Sequence, residues 1–96
     1  MPIRSIPDLG IEYELWGAYP VQALGTIRGR EFYFHAKYHE WEFEVADARG
    51  VLPSDGGNPE FVRRGKHPDA SRMPHDEAAS LIDSFLREYA AAQTAQ

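Results

Sequence analysis

Residues 31 to 45, Glu-Phe-Tyr-Phe-His-Ala-Lys-Tyr-His-Glu-Trp-Glu-Phe-Glu-Val, alternate apolar and polar side chains. Phe32, Phe34, Ala36 and Tyr38 share one parity, and Trp41, Phe43 and Val45 continue on a second limb. A period of two is the signature of half-buried strands, not of a helix. Folding the segment so that paired residue numbers sum to 79 sets Phe34 against Val45, Ala36 against Phe43 and Tyr38 against Trp41. That register also sets His35 against Glu44 and Lys37 against Glu42. One face then collects the aromatics while the other opposes unlike charges.

Working outward, Ile11-Glu-Tyr-Glu-Leu15 alternates in the same way and predicts a strand over residues 11–16. Gly17 to Pro20 interrupts it, and a second strand over 21–28 follows, with Val21, Ala23, Gly25 and Ile27 on one parity. Gly29 supplies a turn, centred on Arg28-Gly29 or on Gly29-Arg30. Strands over 31–38 and 41–46 complete the set. In either turn, small Ala23 and Gly25 fall beside bulky Phe32 and Phe34. The first ten residues, with Pro2 and Pro7, read as an extended lead-in.

Residues 47–73 show no sustained period and are broken by glycines and prolines. They read as one long loop, pinned by Val51-Leu52 and Phe61-Val62, with Ser54 to Asn58 and Arg63 to Arg72 exposed. Pro74 suits the first position of a helix, and Asp76 and Glu77 put negative charge at its positive end. Ala78, Leu81, Ile82, Phe85 and Tyr89 recur at helical spacing to about residue 92. The expected fold is therefore a single α+β domain over residues 1–96: a four-stranded antiparallel meander with one C-terminal amphipathic helix on its aromatic face. One helix covers part of such a sheet, which leaves aromatic surface for a partner or a second copy of the chain.

The resemblance of one region extends further. Pro20-Val21-Gln22-Ala23, Gly25-Thr26-Ile27, Gly29, Phe32-Tyr33-Phe34-His35-Ala36-Lys37 and Trp41-Glu42-Phe43 together resemble a pattern in uncharacterised small bacterial proteins. Those chains tend to carry arginine where this one has His35 and Lys37. The resemblance implies a bacterial or phage origin and a shared hairpin core, with no activity attached to it.

The chain of 96 residues is long enough for one modest core, and 43% hydrophobic content is ordinary for a globular protein that folds without a cofactor. It has no cysteine, which excludes disulfides, thiolate nucleophiles and zinc–thiolate sites. No stretch reads as a signal peptide or membrane span, so the expected location is cytoplasmic. A net charge of −5 argues against general affinity for nucleic acid or anionic membranes. The charge is uneven: residues 47–73 hold five basic and four acidic groups, against five and eleven in the remainder.

Two surfaces are candidates for contact with a partner. Arg63, Arg64 and Lys66 cluster beside Phe61 in the loop, where they could meet an acidic protein patch or, in a further alternative, a nucleic-acid backbone. Glu42 and Glu44, with Tyr33, His35 and Lys37, could form a charged strand face that complements a basic surface. An enzymatic or metal-binding alternative rests on His35, His67 and His75, the latter two beside Asp69 and Asp76. None of the five serines sits in a nucleophile motif, and Ser54 to Asn58 lacks the lysine and the helix of a phosphate loop. The expectation is a non-enzymatic protein-binding module, of the kind that inhibits a partner or confers immunity.

Overall fold

A computed structural model describes residues 3–46 and 59–94. Six strands run in chain order: β1 (Ile3–Ile6), β2 (Ile11–Trp16), β3 (Val21–Ile27), β4 (Arg30–Lys37), β5 (Glu40–Ala46) and β6 (Pro59–Lys66). Each pairs antiparallel with the next to form one meander, and α1 (His75–Thr94) closes the chain on its inner face. The α+β architecture and the C-terminal helix are as the periodicities predict. The sheet has six strands where four were expected.

Both additional strands lie at edges. Of the expected extended lead-in, residues 3–6 are extended and pair with β2, from Ile3 against Glu14 to Ile6 against Ile11, whereas Pro7–Leu9 form a 3-10 turn. The expected 47–73 loop contains β6, paired from Lys66 against Glu40 to Phe61 against Val45, and a 3-10 turn at Ala70–Arg72. Alternation is hard to read in these strands because inward positions hold Arg4, Arg63 and Gly65. A bulge at Val45/Ala46 leaves Glu60 as the extra residue of β6, where its carboxylate accepts from the Tyr89 hydroxyl and pairs with Arg30. Val51-Leu52 and Ser54 to Asn58 lie outside the described residues.

The central hairpin pairs Phe32 with Val45, Phe34 with Phe43 and Ala36 with Trp41, sums of 77 in place of the expected 79. A slip of two residues keeps every side chain that stays in the strands on its expected face, because the side-chain period is two. It moves the two-residue connection from His39-Glu40 to Tyr38-His39 and changes the charge pairs to His35 with Glu42 and Lys37 with Glu40. Tyr38 consequently leaves the aromatic stripe and is 70% exposed. The β3–β4 turn settles on Arg28-Gly29, both with positive φ (52° and 79°), as a type I′ turn requires.

The centre of the inner face is buried: Leu15, Ala23, Phe32, Phe34, Ala36, Phe43 and Val45 are all fully enclosed, while Arg4, Trp41, Phe61 and Arg63 are partly buried. A flat six-stranded sheet would be about 24 Å wide, five spacings of ~4.8 Å, whereas a helix is only about 10–12 Å across. Yet both edges reach the same helix. Arg4 of β1 donates to Asp76, and Phe61 of β6 packs edge-on against Tyr89 with ring centroids 5.4 Å apart. The sheet must therefore curl around α1, which covers the aromatic surface that a four-stranded sheet would have left open. Gly25 permits the close approach: a Cβ there would lie 2.6 Å from Tyr13 Cβ and 2.7 Å from Phe32 Cζ.

The helix begins at His75, with the Ala78 amide donating to the Pro74 carbonyl. Ala78, Ile82, Leu86 and Tyr89 form its buried stripe, flanked by half-buried Leu81 and Phe85. Phe85 sits between Trp41 and Phe43, 5.2 and 5.4 Å from their rings. No helix among the described residues is long and apolar enough to cross a membrane.

Candidate functional site

Curling the sheet around α1 turns its other face outward. Among the described residues no helix or strand packs on that outer face. Cross-strand pairing arranges its side chains in rows. One row runs Trp16, Gln22, His35, Glu42, Arg64 across β2 to β6, and the next runs Glu14, Leu24, Tyr33, Glu44, Val62. A short third row sets Glu40 between Lys37 and Lys66.

These rows join residues that the sequence separates. Tyr33, His35, Glu42 and Glu44 come from the central hairpin, whereas Arg64 and Lys66 come from the stretch expected to be a loop. Pairing of β5 with β6 places the Arg64 guanidinium on the Glu42 carboxylate. His35, Glu42, Arg64 and Lys66 then line an open concavity of about 420 Å³, floored by Trp41 and Gly65. On the helix side of the sheet Gly65 makes room for the Trp41 ring, since a Cβ there would fall 2.2 Å from Trp41 Cζ2.

Two groups on the face carry perturbed chemistry. Glu44 is 5% exposed. Burial, then the neighbouring charge of Glu42 and a hydrogen bond between the two carboxyls, pushes its pKa up; Arg64 pulls weakly the other way. Tyr33 donates to Gln22 Oε1 at 2.9 Å and packs against His35 with ring centroids 5.5 Å apart. Burial and the Glu44 charge raise the Tyr33 hydroxyl above its ordinary value.

The remaining candidates lie elsewhere. Arg63 points to the helix side of β6, stacks over the Phe61 ring at 4.1 Å and pairs with Glu88, whose carboxyl it holds below the ordinary range. The expected basic loop is thus a strand whose cations alternate between two faces. His67 accepts from the Asp69 amide through Nδ1 and meets Glu77 through Nε2 at 2.8 Å. The ring of His75 donates from Nε2 to the Gly17 carbonyl at 2.9 Å. Both histidines tie connections around the start of α1, while His35 is on the outer face. No group of three histidine, cysteine, aspartate or glutamate side chains among the described residues could hold a metal ion.

One end of the molecule also carries features that sequence reasoning missed. Tyr19 and Tyr38, 58% and 70% exposed, both have left-handed backbones, with φ of 56° and 59°. Buried Ser71 holds both turns: its carbonyl accepts from the Tyr19 amide at 2.9 Å, and its hydroxyl accepts from the Tyr38 amide. Arg72 lies over the Tyr19 ring at 4.9 Å and Lys37 over the Tyr38 ring at 5.2 Å. The only sequence signal was two tyrosines at chain breaks. Nothing local points to Ser71 as their shared anchor.

No protein-family model, curated protein or solved structure matches this chain. Its function is accordingly read from its own geometry.

Proposed function

We propose that this chain is a non-enzymatic protein-binding module, of bacterial or phage origin, that docks a partner on the outer face of its sheet to inhibit or neutralise it. The observation that carries this reading is the convergence of Tyr33, His35, Glu42, Glu44, Arg64 and Lys66 on one face over which no element of the described residues packs. Partly exposed Trp16, Tyr33 and His35, with exposed Leu24, supply apolar and aromatic area amid charge, the mixture common at interfaces. The glutamates at 12, 14, 31, 40, 42 and 44 outnumber Lys37, Arg64 and Lys66, which favours a basic partner and charge-steered association. The exposed tyrosines at the turn end extend the contact area, because tyrosine offers large, stiff surface at low entropic cost.

The test is capture of bacterial proteins by the tagged chain, with Tyr33→Ala/Arg64→Glu on the outer face and Arg63→Glu on the helix face as control. Circular dichroism establishes that each variant folds. A protein captured by the wild type and the control but lost with the outer-face variant is the expected result. Capture that survives the outer-face change, or recovery of nothing beyond the chain itself, counts against the reading.

A further inference from the structure

We propose that the seam between β1 and α1 binds a small zwitterion of the α-amino-acid class. An open concavity of about 370 Å³ lies there, with Arg4, Ile6 and Tyr13 on the sheet side and Asp76, Ala79 and Asp83 on the helix side. That volume lies within the range of small-ligand sites, roughly 300–1,000 Å³.

Tyr13 is the most telling group. It is 4% exposed, its ring packs edge-on against Phe32, and its hydroxyl makes no hydrogen bond with a described residue. Buried phenols normally find a partner. No fully enclosed side-chain nitrogen or oxygen among the described residues lacks one, so this hydroxyl reaches the concavity instead. The charges of Arg4 and Asp83 both act on it, although burial dominates and raises its pKa.

The charged groups have capacity to spare. Arg4 donates through one Nη to Asp76 Oδ1 at 2.7 Å, leaving most of its five donors for a carboxylate. Asp83 accepts from Arg87 Nε through Oδ1, leaving Oδ2 for an ammonium group. A simple anion would face Asp76 and Asp83, and a simple cation would face Arg4. A ligand bearing both charges satisfies both walls, with its side chain against Ile6 and Ala79.

The experiment is an amide-shift titration of the full chain with L-alanine and L-leucine, set against propionate and ethylamine, which each keep one charge. Saturable shifts at residues 4–6 and 76–83 with the amino acids, and at least tenfold weaker binding of each single-charge analogue, are expected. Tyr13→Phe keeps the ring and removes the hydroxyl, and should weaken binding about tenfold. Ser80→Leu, at an exposed helix position lining the same concavity, fills it without touching the core and should abolish the shifts. The proposal is overturned if neither amino acid gives saturable shifts, if propionate or ethylamine binds as well, or if both variants titrate like the wild type. The outcome is separate from that at the outer face, since none of these residues belongs to it.

Discussion

Replacing Ser71 by alanine should loosen the Tyr38 turn and leave the Tyr19 turn, which is held by the Ser71 backbone carbonyl, in place. Ser71 is 3% exposed, and its hydroxyl accepts the amide of Tyr38, the first central residue of a two-residue connection. Positive φ at that position is normally left to glycine, and a residue with a Cβ incurs about 1–2 kcal/mol there. Ser71→Ala leaves the Tyr38 amide without its acceptor, a loss of about 1–3 kcal/mol. The freed turn can relax and recover part of its strain, which holds the net cost near 1–2 kcal/mol. In a domain of this size each kcal/mol lowers Tm by about 4–8 °C. Urea unfolding measures the stability, and hydrogen exchange at the Tyr38 amide reports whether the loss is local. Adding Tyr38→Gly to Ser71→Ala should restore about 1 kcal/mol, since glycine adopts the turn without the Cβ penalty. An unchanged midpoint together with unchanged exchange at Tyr38 would refute the clamp.

Glu44→Gln tests the carboxyl pair on the outer face. The folded chain binds the Glu44 proton more tightly than the unfolded chain, whose carboxyl titrates near the ordinary 4.5, so wild-type stability declines as pH rises above that value. Glutamine does not titrate: the variant should gain stability over the wild type at neutral pH and lose that advantage near pH 4, as followed by urea midpoints at both values. A difference independent of pH would remove Glu44 as the titrating group. Gly25→Ala tests the packing of the curled sheet. The new methyl meets Tyr13 and Phe32 at a position without positive φ, so the expected cost of about 1–3 kcal/mol is steric and should appear as a lower Tm. Unaltered stability would mean that β2 and β3 can move apart freely.

The turn end offers a joint test of stability and the proposed docking. If the Ser71 hydroxyl presents Tyr38 to a partner, Ser71→Ala should weaken capture as well as stability, whereas Gly25→Ala should affect stability alone at temperatures where it stays folded. Separating the two variants by capture assay distinguishes a contact surface from a structural turn.

Much of this chain can be read locally. The alternation over residues 31–45 places Phe32, Phe34, Phe43 and Val45 inward, and the three- and four-residue spacing after Pro74 yields the helix with Ile82 and Tyr89 in the core. Even the two-residue error in register moved no side chain across the sheet, because facing depends only on parity. Tertiary structure decided which segments pair. β1 and β6 have Arg4, Arg63 and Gly65 at inward positions, tolerable because edge arginines reach carboxylates on α1 and Gly65 lies beneath Trp41. Their strand character comes from hydrogen bonds to a neighbouring strand, not from their own pattern. The candidate surface follows the same division. The glutamates of β5 were legible as an outward row, but only its pairing with β6 brought Arg64 and Lys66 alongside them, because periodicity specifies the face of a side chain while long-range contacts select its neighbour.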